Sequence, residues 1–186
     1  MRYQRMNFGE KEKRITLIHM SKPMSNGLGG MVISKIFSDN IPIIVDNKPD
    51  EECGYDFACF AWGKNGSVPR IKMSRELYYD IKRGKTYARL ILLHELGHYF
   101  GNDHLITKED RDEERVKIAL KCEVSEEEIK ADLFAAEYIG LESVIEGLNC
   151  ISTLLQTKYD EPNDDLIIVL NEIKTRKKEL QKAKSL

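Results

Sequence analysis

Through the first third of the chain, apolar positions come in short runs broken by turn residues; from Ser74 onward they recur at helical spacing. Residues 41–45 read as a strand, with Pro42 near its start and Asp46-Asn47 turning the chain after it. Residues 56–62 and 68–73 read as two more, separated by a turn over 63–66. Residues 25–30 (Ser-Asn-Gly-Leu-Gly-Gly) form a flexible turn rich in residues that tolerate positive φ. These runs are expected to pair through hairpins into a small antiparallel sheet.

Ser74 can cap a short helix with Leu77, Tyr78 and Ile81 on its apolar side, ending at Gly84. Over residues 86–100, Tyr87, Leu90, Ile91, Leu92, Leu93, Leu96 and Phe100 cover most of the circumference, as in a buried central helix. Gly97 inside that helix costs about 1 kcal/mol against alanine, which points to another backbone packing closely there. Residues 108–122 are a charged amphipathic helix. Ser125 with Glu128 is a capping box that opens a helix stopped by Gly140. Helices over 141–158 and 164–182 follow, the last apolar through Leu166, Ile167, Leu170, Ile173 and Leu180. The expected architecture is α+β in a single domain over 1–186, a small antiparallel sheet packed on a mainly helical region. Residues 1–14 are expected to be flexible and 141–186 to form a helical extension.

A hydrophobic content of 41% is enough for one core in 186 residues. Basic and acidic residues nearly cancel, 29 against 31, so neither nucleic acid nor a membrane surface is expected as a direct partner. No apolar run reaches the length needed to cross a bilayer, and residues 1–14 lack the apolar centre of a signal peptide. Cys53, Cys59, Cys122 and Cys150 show no Cys-x-x-Cys spacing and read as small buried hydrophobes, which suggests a reduced, cytoplasmic protein.

Chemistry concentrates in residues 94–104. His94-Glu95-Leu96-Gly97-His98 spells H-E-x-x-H, which on a helix puts both histidines on one face, close enough to share a zinc ion. Glu95 then stands where a general base for an activated water is needed. Two residues compete for the third ligand position. His104 completes H-E-x-x-H-x-x-G-x-x-H, the metzincin pattern. That family also carries a methionine turn downstream of the motif, whereas all six methionines here lie at or before Met73. Glu128 shares a helical face with Asp132, which could accept the second ring N–H of a ligand histidine. Of the four E-x-x-x-D matches, Glu128-Asp132 alone has helical context downstream of the motif; Glu161-Asp165 contains Pro162, and Glu52-Asp56 and Glu76-Asp80 precede it. Tyr99, Tyr138 and His104 are candidate donors to a developing oxyanion. Glu137, half a turn out of phase with Glu128, should face solvent.

The longer string over 128–137, Glu-Ile-Lys-Ala-Asp-Leu-Phe-Ala-Ala-Glu, together with His94-Glu-Leu-Gly-His98, resembles the ImmA/IrrE family of zinc metallopeptidases, which pair H-E-L-G-H with a later E-x-x-A-D-x-F-A-A-E segment. The resemblance covers roughly residues 40 to 140; Tyr138-Ile139-Gly140 departs from the family's frequent Leu-Leu-x-Pro. It implies a zincin-like domain around a buried motif helix and gluzincin-type ligation by His94, His98 and Glu128, with Glu95 as general base. The expected activity is zinc-dependent endopeptidase action on a regulatory protein, such as a helix-turn-helix repressor of a mobile element. A metal-stabilised module that sequesters such a regulator without cutting it is the alternative. Residues 56–62 or 68–73 could hold a peptide substrate by strand addition.

Overall fold

In a computed structural model the described residues are 5–8, 15–23, 29–35, 40–46, 57–61, 70–101, 124–159 and 163–183, with side-chain surroundings given for 57, 71–101, 124–159 and 163–183. The strands are β1 (Arg5–Phe8), β2 (Ile15–Pro23), β3 (Gly29–Lys35), β4 (Asn40–Asp46), β5 (Ala58–Ala61) and β6 (Arg70–Ser74). The helices are α1 (Arg75–Lys82), α2 (Thr86–Gly101), α3 (Glu126–Ile139), α4 (Leu141–Lys158) and α5 (Asp164–Ala183).

The expected small antiparallel sheet of three hairpin-joined strands is not what the chain forms. The strands pair in the order β1-β2-β3-β4-β6-β5, and β4 runs parallel to β6, with Ile43 opposite Ile71 and Asp46 opposite Ser74. A parallel pair cannot be closed by a hairpin, so the chain must cross over between residues 46 and 70, and β5 falls at the far edge, antiparallel to β6 alone. Where side-chain surroundings are described, the chain is helical apart from Phe57, Ile71–Ser74 at the end of β6 and the turns at the helix ends, so the core among these residues is set by helix packing. The pairing of Pro23 with Gly29 flanks the glycine-rich turn read over 25–30. The turn over 63–66, the helix over 108–122, His104, Cys53 and Cys122 lie outside the described residues.

Local signals account for where the helices begin and end. The Ser74 hydroxyl accepts from the Leu77 amide at 3.1 Å, capping α1, and Gly84 ends the following turn at φ +78°. Ser125 caps α3 through the Glu128 amide, and Gly140 at φ +82° bends the chain from α3 into α4. α2 is wrapped by α1, α3, α4 and β5, which is why it is apolar nearly all round. Leu90, Leu92, Leu93 and Leu96 fill its buried surface against Ile71, Leu77, Ile81, Val144 and Leu148. None of the helices in the described residues is long and apolar enough to cross a membrane.

The tightest joint is between α2 and α3. A Cβ added at Gly97 would lie 2.6 Å from Ala131 Cα and 2.9 Å from its carbonyl oxygen, so the two helices meet backbone to backbone. Gly97→Ala must therefore push the helices apart. We expect it to destabilise the fold by about 1–3 kcal/mol, the usual range for overpacking, lowering the thermal midpoint by about 2–4 °C per kcal/mol in calorimetry.

A second polar anchor lies at the α1–α2 turn. Asp80, buried, accepts from the Tyr87 hydroxyl, from Lys85 Nζ at 3.0 Å and from Arg83 Nη1 at 3.3 Å. Burial pushes its carboxyl up, but the bonds from Tyr87 and Lys85 and the Lys85 charge outweigh this and hold it below the ordinary 3.8. Because the folded value lies below the unfolded one, this stability is complete above about pH 3.8 and is lost as pH falls through the depressed value. Asp80→Asn should flatten the dependence of the thermal midpoint on pH below about 4, while costing on the order of 1–3 kcal/mol at neutral pH.

Candidate metal centre

The α2–α3 joint dictates what faces what. Gly97 lies between His94 and His98, and Ala131 lies between Glu128 and Asp132, so bringing the two small residues together brings the four polar ones together across the crossing. His94 Nε2 is 3.0 Å from His98 Nε2 and 3.0 Å from Glu128 Oε2; His98 Nε2 is 3.5 Å from Glu128 Oε1. The two imidazole rings stand nearly perpendicular, at 89°, with centroids 4.6 Å apart.

Lone-pair atoms this close share either a proton or a cation. Ligands bound tetrahedrally at ~2.0–2.1 Å would sit about 3.3–3.4 Å from one another; the separations here, 3.0–3.5 Å to one or the other Glu128 oxygen, lie around that spacing. His94, His98 and Glu128 could thus hold a metal ion. The closeness of these groups also shifts their proton affinities. Burial raises the Glu128 carboxyl, yet His94 beside it, bonds from both histidines and Arg176 drive it well below its ordinary range. Burial and Arg176 pull His94 down, but Glu128 and Asp132 outweigh them and raise it.

Asp132 fixes which nitrogen points at the centre. Its carboxylate is fully buried, and Oδ1 lies 2.9 Å from His94 Nδ1. Burial favours the neutral acid, but Arg176 and His94 hold Asp132 below its ordinary value, so it is an acceptor. His94 Nδ1–H therefore donates to Asp132, leaving the Nε2 lone pair for the centre; this tautomer is assigned from the network.

Arg176, from α5, was not foreseen. Its Nε and Nη2 fork onto Asp132 Oδ2 and Oδ1 at 2.8 and 2.5 Å, while Nη1 lies 3.3 Å from Glu128 Oε2 and 3.7 Å from Glu172 Oε1. Nη2 also lies 3.1 Å from His94 Nδ1; both are donors, so the closeness reflects two N–H groups sharing Asp132 Oδ1 rather than a bond between them. Burial tends to lower the Arg176 pKa, but Asp132 and Glu128 more than offset it, so the guanidinium stays charged. Its signal in the sequence is a cation intruding at heptad spacing into the stripe Leu166, Ile173, Leu180.

Glu95 is partly buried on α2, next to His94. Tyr99 is partly buried and stacks edge-on with Phe100. Tyr138 packs against Phe134, and ten residues along α3 from Glu128 place it about 15 Å away along the helix, so it is not brought to the ligands. Glu137 is exposed, as its phase implies. Comparison with protein-family models, with curated proteins and with solved structures finds no match for this chain.

Titration with a divalent ion should show one site per chain. His94→Ala, His98→Ala or Glu128→Gln should each weaken it by more than the ~10–100-fold typical of losing an outer hydrogen-bond partner, as read by chelator competition.

Proposed function

We propose that the chain is a cytoplasmic zinc-dependent endopeptidase of the ImmA/IrrE type, acting on a regulatory protein. The observation that carries this reading is the convergence of Glu128, from α3, at 3.0–3.5 Å on His94 and His98 of α2, the helix that also bears Glu95. A purely structural metal site has no use for a neighbouring general base, whereas peptide hydrolysis requires one.

A zinc ion held by these three side chains would supply Lewis acidity, activating water and polarising the scissile carbonyl. Glu95 would accept the proton of the attacking water and return it to the leaving amine. Asp132 would keep His94 Nδ1 protonated and its ring fixed through that change of charge. Of the two strands considered for substrate, β6 is flanked on both sides, by β4 and β5, so it has no edge to offer. β5 ends the described strand order and packs beside α2, and a peptide could extend the sheet there. A helix-turn-helix repressor as the physiological substrate rests on the family resemblance.

The test is cleavage of candidate repressors by zinc-loaded protein, wild type against Glu95→Gln. The variant should bind zinc as wild type does and lose at least ~100-fold in cleavage rate, the scale of general-base catalysis. Equal cleavage by both would remove Glu95 from the mechanism. Zinc binding with no cleavage of any substrate would favour the non-cleaving binding module.

A further inference from the structure

The guanidinium of Arg176 sits deeper in the centre than a helix-docking ion pair needs to. A pin holding α5 to α3 could be made with Asp132 alone. Arg176 instead meets Asp132 through both carboxylate oxygens, approaches Glu128 within 3.3 Å and comes within 3.1 Å of the His94 ring. It thus touches two of the three candidate ligands and the residue that orients one of them. Glu172, one turn earlier on α5, steadies it from behind at 3.7 Å. Ile173 and Leu180, both buried, seat the same face of α5 in the core, so the arginine is delivered by a packed helix.

A carboxylate held at one oxygen can rotate about its terminal torsion, which is broad and roughly two-fold. Two parallel N–H···O bonds from a planar fork remove that freedom. The plane of the Asp132 carboxylate then sets the line along which His94 Nδ1–H donates, and the ring turns with it. Resting on the metal-centre reading above, we propose that Arg176 is a positioning residue: by clamping both oxygens of Asp132 it aims the His94 Nε2 lone pair at the ion, making docking of α5 a condition of tight metal binding.

The experiment measures zinc affinity by chelator competition for wild type, Arg176→Gln, Arg176→Lys, Asp132→Asn and the double variant Arg176→Gln/Asp132→Asn. Far-UV circular dichroism and thermal midpoints are recorded on each. Arg176→Lys keeps the charge but cannot fork, so it should lose about 10–100-fold in affinity while remaining folded. Arg176→Gln should lose at least as much. The double variant should bind no more weakly than Asp132→Asn alone, because the arginine acts through the aspartate. In wild type the ¹⁵N shifts of His94 should read Nδ1-protonated, and in Arg176→Lys they should move toward a mixture of tautomers. If Arg176→Gln does not fold, the lysine variant decides the matter.

Wild-type affinity in a folded Arg176→Lys, with a lowered thermal midpoint only, would overturn the proposal and leave Arg176 as a docking pin. Additive losses in the double variant would also overturn it. Zinc binding absent from wild type would sink the metal-centre reading and this inference with it, whereas binding in wild type and every Arg176 variant alike sinks this inference alone.

Discussion

Two helices can approach backbone to backbone only where both carry small residues, and α2 and α3 do so at Gly97 and Ala131. A methyl group at residue 97 would fall 2.6 Å from Ala131 Cα, so this joint tolerates no side chain. It places the histidines and carboxylates of the centre. The residues that bracket the joint are His94 and His98 on one helix and Glu128 and Asp132 on the other. A wider crossing would leave a gap where the histidine and glutamate atoms now lie 3.0–3.5 Å apart.

Bringing these groups together creates an electrostatic problem that the fold then solves. Asp132 is fully buried, and His94 and Arg176 are nearly so. Charges taken out of water are strongly penalised unless paired and hydrogen-bonded on every side. Asp132 receives the Arg176 fork and the His94 N–H; Arg176 in turn faces Asp132, Glu128 and Glu172. Each charge thereby compensates another, and the three groups come from three different helices. The core around them, from Leu93 and Leu96 to Ile173 and Leu180, excludes water and strengthens those attractions.

Much of the helical half was legible in the sequence because its signals are local. Ser74, Gly84, Ser125 and Gly140 act within a turn of themselves, and the structure puts helix ends where they stand. Gly97 was legible as a close-packing point because a glycine inside so apolar a helix is otherwise unfavourable. Glu128 could be singled out from three similar matches only by its helical setting. The sheet was not legible in the same way. Whether residues 40–46 and 70–74 run parallel depends on a crossover, and short-range turn signals between them suggested hairpins. Arg176 was missed for a related reason. It lies 44 residues from Asp132, and nothing within one turn of it announces a partner; only its place in the apolar stripe of α5 sets it apart from the lysines beside it.

The central claim is that two imidazole nitrogens and one carboxylate oxygen from these two helices share one ion. X-ray diffraction from crystals of the zinc-loaded protein, recorded at the zinc absorption edge, tests it most directly. The account predicts one anomalous peak per chain, ~2.0–2.2 Å from His94 Nε2, His98 Nε2 and a Glu128 carboxylate oxygen, with Asp132 beside His94 Nδ1 and outside the coordination sphere. A peak elsewhere, a peak held by His104 in place of Glu128, or none at saturating zinc would contradict it.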